Sequence, residues 1–307
     1  MQFLVVGAGA VGGYFGGRLA QHGQDVTFLV RPARAAELAA RGLVIHSQVG
    51  DATIASPQTA QAGAIARPVD VIILSSKAYD LAACVADIRP AVGPATVIIP
   101  LLNGMQHLAV LDGEFGRRAV LGGLAEISST LNAAKEIVHL NAMATLAIGA
   151  RDAAMQDRAA AIHGVMAQAF GARLSTDIEH DMWEKWVFIA SLAAITTLMG
   201  TSINHIVTAP GGLEFAKAVA AECDAVATAH GHAPRPEMWA RLDPLLFSPT
   251  SPLMASMARD LLSGQRIEAD AVIGDLLRQG QAKGVPTPLL AVVYTRLKAY
   301  ENARAAG

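Results

Sequence analysis

The sequence predicts an α/β domain with a mostly parallel, doubly wound sheet over residues 1–174, followed by an all-helical domain over residues 175–307. Three observations carry that prediction. Short, continuously apolar runs alternate with helical stretches in the first half, as strands buried on both faces do. A glycine-rich turn joins the first strand to the first helix. After about Ser175 strand signals fade, and helical stretches follow one another between connections such as APGG, HAPRP and SPTSP.

Met1 to Val6 reads as a buried strand, and Gly7, Gly9 and Gly12 then form a G-x-G-x-x-G fingerprint. Gly7 permits the tight turn, Gly9 lets backbone approach a pyrophosphate, and Gly12 lets the helix pack closely on the sheet. Ala10 and Val11 open that helix, whose free N–H groups and positive dipole end suit phosphate. The helix runs to about His22 and stops at Gly23, and a second strand, Val26 to Val30, follows at once. Between a strand and a helix, inside a βαβ unit, the fingerprint marks a Rossmann dinucleotide-binding domain. Where an NAD site usually carries an acid, the chain has Arg31, with Arg34 three residues on. Arginine suits a 2′-phosphate, which favours NADPH; the alternative is the solvated start of a helix at Pro32.

A helix from Ala33 to Arg41 ends at Gly42, and LVIHS and ATIAS read as a hairpin. The run VIILSS ends in Ser75 and Ser76, with Lys77, Tyr79 and Asp80 just beyond it. Thr96 to Leu102 forms the next strand and ends at Asn103 and Gly104. Gly7, Ser75 to Lys77 and Asn103 are therefore expected at the carboxyl ends of strands, where a doubly wound sheet binds its ligand. Val120–Ala125 and Ile137–Ile148 read as further strands, and a helix over Ala153–Phe170, stopped by Gly171, closes the domain.

In the second half a long helix passes through Asp181, Trp183, Lys185 and Trp186 to about Met199. Further helices are expected at Leu213–His230, Pro236–Leu242, Pro252–Leu262, Ile267–Lys283 and Leu289–Arg304. A substrate is expected between the two domains.

With 307 residues, 52% hydrophobic and 16% charged, and a mean hydropathy of +0.37, the chain can bury two sizeable cores. A net charge of -2 gives no electrostatic reason to expect nucleic-acid binding. Cys84 and Cys223 are far apart and read as small core residues of a reducing compartment. The first strand begins at Met1, and Trp186–Gly200 is too short and too rich in Ser and Thr to span a bilayer, so a cytoplasmic protein off the membrane is expected. The nine histidines form no metal set, and His230 and His232 read as loop or helix-end polarity.

Lys185 interrupts an apolar helix between Trp183 and Trp186. Desolvation there would lower its pKa and ease proton donation at neutral pH; the alternative is that it snorkels to solvent. Ser256 and Glu268, taken alone, read as solvated helix faces, and Glu268 could equally pair with Arg266 or Arg259.

The fingerprint, SSKAYD around Lys77, LLNGM around Asn103, DMWEKW around Lys185, SMARD from Ser256 and RIEAD containing Glu268 occur in one order along nearly the whole chain. Together they resemble the ketopantoate reductase (2-dehydropantoate 2-reductase) family. The resemblance implies a helical domain of the 6-phosphogluconate dehydrogenase type and NADPH-dependent reduction of 2-dehydropantoate to pantoate, a step of pantothenate and coenzyme A synthesis. It also implies roles. Lys185 would be the general acid, and Glu268 would hold the substrate's distal hydroxyl, help orient Lys185 and lie at the cofactor. Asn103 would sit by nicotinamide and substrate, Lys77 would line both sites, and Ser256 would contact the carboxylate. Gly7, Gly9, Ala10, Val11, Gly12, Arg31 and Ser75 complete the expected cofactor set.

One departure stands out. The best-known members carry asparagines one and two helical turns after the lysine, and here those positions are Ile189 and Ala193, on the face of Lys185. A polar substrate group left unpaired there costs on the order of 1–3 kcal/mol. The substitution leaves open a paralogous reductase of a more apolar 2-oxo acid, and a non-catalytic NADPH sensor remains a third reading. Apolar residues such as Leu213, Phe215 and Val219 suit core or interface alike, so a homodimer is left open.

Overall fold

The run Phe3 to Val6 is almost wholly buried, because strand β1 (Gln2–Val6) lies at the centre of a sheet and has no face to give to water. The structure is a computed structural model that describes residues 1–306. The chain divides into two compact units. One comprises Met1–Leu102 with His107–Glu179, and the other comprises Asn103–Gln106 with the chain from His180 onward.

In the first unit β1 is followed by α1 (Ala10–Gln21), β2 (Asp25–Leu29), α2 (Pro32–Arg41), β3 (Leu43–Ser47), β4 (Ala52–Ile54) and β5 (Gln58–Ala60). Then come β6 (Val71–Leu74), α3 (Leu81–Ile88), β7 (Val97–Pro100), α4 (Gln106–Phe115), β8 (Gly122–Leu131), β9 (Ile137–Gly149), α5 (Gln156–Met166) and β10 (Gly171–Leu174). The first sheet is wholly parallel, in the order β5-β2-β1-β6-β7. Its register aligns Val6 with Leu29 and with Leu74, so the segments leaving β1, β2 and β6 depart side by side from one edge. Val71–Leu74 and Val97–Ile99 are fully buried, which explains their unbroken apolar runs.

The expected single sheet is two. The hairpin β3–β4 and the later strands form a separate mixed sheet, β10-β9-β3-β4 with β8 antiparallel to β9. Helix α1 makes contacts with strands of both sheets. Tyr14 meets His139 of β9 at 5.0 Å, and Phe15 meets Phe170 at 4.9 Å. Sequence patterning does not reveal β5 or β10, because QTA and GARL are short, polar edge strands without an apolar alternation to announce them. Residues 171–174 consequently end the expected α5 helix with a strand parallel to β9. Away from the strands, Arg151, whose side chain is 3% exposed, donates to both Asp112 oxygens at 2.7 and 2.8 Å and to Glu179 at 3.1 Å.

The second unit is helical: α6 (Ile178–Met199, from His180 onward), α7 (Ile203–Val207), α8 (Gly212–Ala229), α9 (Pro236–Leu246), α10 (Ser256–Leu262), α11 (Asp275–Ala282) and α12 (Pro288–Ala306). Helix α6 is its axis, with Val187, Ala190, Ala193, Ala194 and Ile195 all buried in one core. The hydroxyls in this apolar helix are satisfied locally, Thr196 donating to the Leu192 carbonyl at 2.7 Å and Thr197 to that of Ala193 at 2.6 Å. No helix among the described residues is long and apolar enough to cross a membrane. Helix α9 outruns its expected end, passing through Pro244 because Leu242 and Leu246 are both anchored in the core. Helix α10 starts only at Ser256, since the Ala255 N–H is drawn to the Thr196 hydroxyl of α6 at 3.3 Å. The expected helix 267–283 is broken by a π-helical turn, Asp270–Gly274, before α11.

The start of α6 is braced from the connection between α8 and α9. Glu184 accepts from the Arg235 backbone N–H at 2.8 Å and from its guanidinium at 2.9 and 2.6 Å, and Asp181 accepts from the same guanidinium. Burial pushes the Glu184 carboxyl up, but the side-chain and backbone hydrogen bonds from Arg235, with the charges of Arg235 and His180, outweigh it and hold the group below its ordinary value. Arg235→Ala removes the guanidinium from two buried carboxylates, while the backbone N–H of residue 235 still serves Glu184. Because the arginine is itself half-exposed, the expected cost is about 2 kcal/mol, below that of a fully buried pair. Thermal unfolding followed by circular dichroism should show the loss as a midpoint lower by about 4–8 °C. A depressed carboxyl contributes stability that is present above its unfolded value of 4.5 and is lost as pH falls through the lower folded value. The difference between wild type and variant should therefore narrow below that pH.

Candidate functional site

In the first unit the fingerprint loop is shaped by β6. The Ser75 hydroxyl donates to the Val6 carbonyl at 2.8 Å, and a Cβ on Gly12 would come within 2.0 Å of the Ser75 Oγ and 2.4 Å of the Gly7 carbonyl oxygen. Only glycine fits there, so α1 can start directly above β6. Ser75 thus spends its hydroxyl on the loop itself. Helix α1 has no side-chain cap and no acid in its first turn, which leaves the N–H groups of Ala10, Val11 and Gly12 to an external acceptor. A Cβ built on Gly9 would meet nothing within 4 Å. An uncapped helix start with open space above the second glycine fits the pyrophosphate of a dinucleotide.

The arginines after β2 divide. Arg31 caps the N-terminal end of α2 with extended backbone, and its side chain, 78% exposed, reaches Asp80 at 2.9 Å. Arg34 is largely buried. It donates through Nε to the Ala8 carbonyl at 3.1 Å and pairs with Glu37 at 2.9 Å, which fixes a guanidinium beside the fingerprint. Lys77 precedes a short 3-10 turn, Ala78–Asp80, that leads into α3.

In the second unit, three of the sequence-selected segments meet through their backbones and one indole. The Trp186 Nε1–H donates to the Val272 carbonyl at 2.9 Å, joining the residue after Lys185 to the π-helical turn that follows Glu268. Gly104, with φ of 80°, lies so close to this turn that a Cβ on it would sit 2.3 Å from the Ala271 carbonyl oxygen and 3.9 Å from the Trp186 Nε1. Asn103, although it directly follows the strands of the first unit in sequence, therefore packs with the helical unit. Lys185, Asn103 and Glu268 are each half-buried on these adjoining segments. Ser256 is exposed at the first position of α10. Ile189 is half-buried, whereas Ala193 is 1% exposed and lies in the helical core, so Ile189 is the one of the two with surface to offer a ligand.

Sequence reasoning missed the aromatic packing of Trp183, two residues before the lysine. Trp183 stacks on His230 and His232, with centroids 5.2 and 5.4 Å away, and touches Trp186 at 5.0 Å. These histidines are thus packing partners of α6. Their spacing in HGHAP carried no such signal, because the contact joins positions about fifty residues apart. Arg235 was equally invisible, although a basic residue in a Pro-rich connection opposite a helix bearing Asp181 and Glu184 is the pattern to look for. Among the described residues, no group of three or more His, Cys, Asp or Glu side chains is arranged to hold a metal ion.

Comparison with known proteins places the chain in a family. Residues 3–153 fit the family model "Ketopantoate reductase PanE/ApbA" and residues 177–301 fit its C-terminal counterpart. The chain is 37% identical over 305 residues to the uncharacterized oxidoreductase YkpB of Bacillus subtilis, covering 98% of this chain and 99% of that one. The 2-dehydropantoate 2-reductase of Geobacter metallireducens is 26% identical with a TM-score of 0.88, covering 97% and 99% of the two chains. A D-mandelate dehydrogenase solved with NADH and anilino(oxo)acetate shares the fold at a TM-score of 0.89 and 20% identity, over 99% and 100%. The chain belongs to the ketopantoate reductase PanE/ApbA family, oxidoreductases of the 2-dehydropantoate 2-reductase type that act on CH–OH groups and reduce 2-oxo acids.

Proposed function

We propose that the protein reduces 2-dehydropantoate to pantoate with NADPH, using Lys185 as general acid. The observation that carries this reading is the junction of Asn103–Gly104, Trp186 and the turn after Glu268, because it sets the three polar residues on adjoining segments of one rigid core. When bound, the nicotinamide supplies the hydride to the carbonyl carbon. Negative charge then grows on the carbonyl oxygen, and a positioned ammonium both stabilises that charge and delivers the proton that completes the alcohol. Glu268 offers an acceptor to the substrate's distal hydroxyl, Asn103 orients the lysine, and Ser256 donates to the carboxylate. Gly7, Gly9, Ala10, Val11 and Gly12 would hold the pyrophosphate, with Ser75 shaping that loop and Lys77 following it. Arg31 favours a cofactor bearing a 2′-phosphate.

A second reading keeps the chemistry and changes the substrate. It rests on Ile189, an apolar residue one turn beyond Lys185 on the same helix face. It is supported by the D-mandelate dehydrogenase likeness only as evidence that the fold accommodates such acids.

NADPH oxidation by the purified protein with 2-dehydropantoate and a panel of 2-oxo acids tests both readings. Lys185→Ala should lower kcat by about a hundred- to ten-thousand-fold. The same variant should keep its NADPH affinity in a fluorescence titration. An unchanged kcat removes the lysine from the chemistry. Under the second reading, wild type turns over a bulkier aliphatic 2-oxo acid faster than 2-dehydropantoate. Ile189→Asn should then shift kcat/KM toward 2-dehydropantoate by about tenfold, the worth of one recovered hydrogen bond.

A further inference from the structure

Two charged side chains bridge the edge of the first sheet where the fingerprint loop leaves it. Val6, Leu29 and Leu74 lie in register, so Gly7, Arg31 and the segment from Ser75 to Asp80 emerge from three neighbouring strands with β1 in the middle. Arg31 comes from the β2 side and Asp80 from the β6 side, and their ion pair of 2.9 Å therefore spans the end of β1. Asp80 occupies the N-cap position of α3, where an aspartate ordinarily turns its carboxylate onto the helix's own N–H groups. Here it makes no such cap and engages Arg31. Arg34 is held by the Ala8 carbonyl and by Glu37, so Arg31 is the exposed arginine of the two and the one able to change partners.

We propose that Asp80 tunes cofactor choice by competing with the 2′-phosphate of NADPH for Arg31. The inference rests on the reading that the first unit binds a nicotinamide dinucleotide. A phosphate and a carboxylate are alternative partners for one guanidinium, and bidentate pairing favours whichever anion is better placed. Binding of NADPH transfers Arg31 from the carboxylate to the phosphate and so breaks the ion pair. Binding of NADH, which has no 2′-phosphate, leaves the ion pair intact. Asp80 thus opposes NADPH and is neutral toward NADH, which narrows the difference between the two cofactors that Arg31 alone would create.

Dissociation constants for NADPH and NADH, from nicotinamide fluorescence or calorimetry at fixed low salt, test this without reference to turnover. In Asp80→Asn, NADPH should bind about two- to fivefold more tightly, the range expected when an exposed ion pair no longer competes. NADH affinity should stay the same. Arg31→Ala should weaken NADPH selectively, and adding Asp80→Asn to it should give no gain, because the competition has lost its object. Asp80→Ser provides a second variant of the same prediction, with unfolding curves confirming that each variant is folded. Equal gains for both cofactors, no gain for NADPH, or a gain that survives in the double variant would each overturn the proposal. If wild type binds neither cofactor, the dinucleotide reading of the first unit fails and this inference fails with it. If wild type binds both while Asp80→Asn changes nothing, only the inference fails.

Discussion

The hydrogen bond from the Trp186 indole to the Val272 carbonyl is the constraint on which the helical unit's polar residues depend. It engages a carbonyl at the point where the chain runs as a π-helical turn. The indole N–H gives that carbonyl a donor within the core, where the turn's residues Ala271 to Gly274 are buried. The turn in turn receives Gly104, whose lack of a Cβ lets the backbone reach the Ala271 carbonyl. Remove the indole, and a buried carbonyl loses a donor while the flanking segments lose their common reference. Lys185 precedes that tryptophan directly and Glu268 precedes the turn by two residues, so the placement of both rests on a contact that neither makes.

The first unit solves a different problem, keeping a helix start open to an anion without leaving the loop slack. Ser75 ties the strand end to β6, and Arg34 ties Ala8 to α2, so the loop is fixed from two sides by its own neighbours. Neither tie consumes the N–H groups at the start of α1, where the macrodipole is most favourable to negative charge. Pre-organisation of this kind removes the ordering cost from the binding step.

The sequence made the doubly wound sheet legible because β1, β6 and β7 are buried on both faces and must be written as unbroken apolar runs. It made the fingerprint legible because Gly12 admits no side chain against Ser75. The second sheet was not legible as separate, since an antiparallel hairpin reads the same whether it extends a sheet or founds another. Strands β5 and β10 are edges, whose backbone pairing leaves no mark on side-chain pattern. In the helical unit, positions were legible and partnerships were not. Trp183 looked like a desolvating neighbour of Lys185, yet its rings pack on His230 and His232. Asp80 looked like one of several polar residues beyond a strand, and its pairing with Arg31 follows only from strand order and register.

What α6 withholds says as much about substrate choice as what it offers. Beyond Lys185 it carries no charged residue to its end at Met199, and its threonine hydroxyls at 196 and 197 are turned back onto its own carbonyls. Its next turn presents Ile189, and the turn after that buries Ala193 in the core. On the proposed reading, polar recognition beyond Lys185 would come from Asn103, Ser256 and Glu268, on other segments. An apolar wall discriminates between substrates only by size, roughly 10–200-fold per methylene. A buried acceptor rejects a substrate without the matching hydroxyl far more strongly, because the acceptor is then left unpaired. On the proposed reading, with no amide at positions 189 and 193, selection for a hydroxylated 2-oxo acid would fall on Glu268, and the width of the substrate range would follow how completely that carboxylate is desolvated when substrate binds.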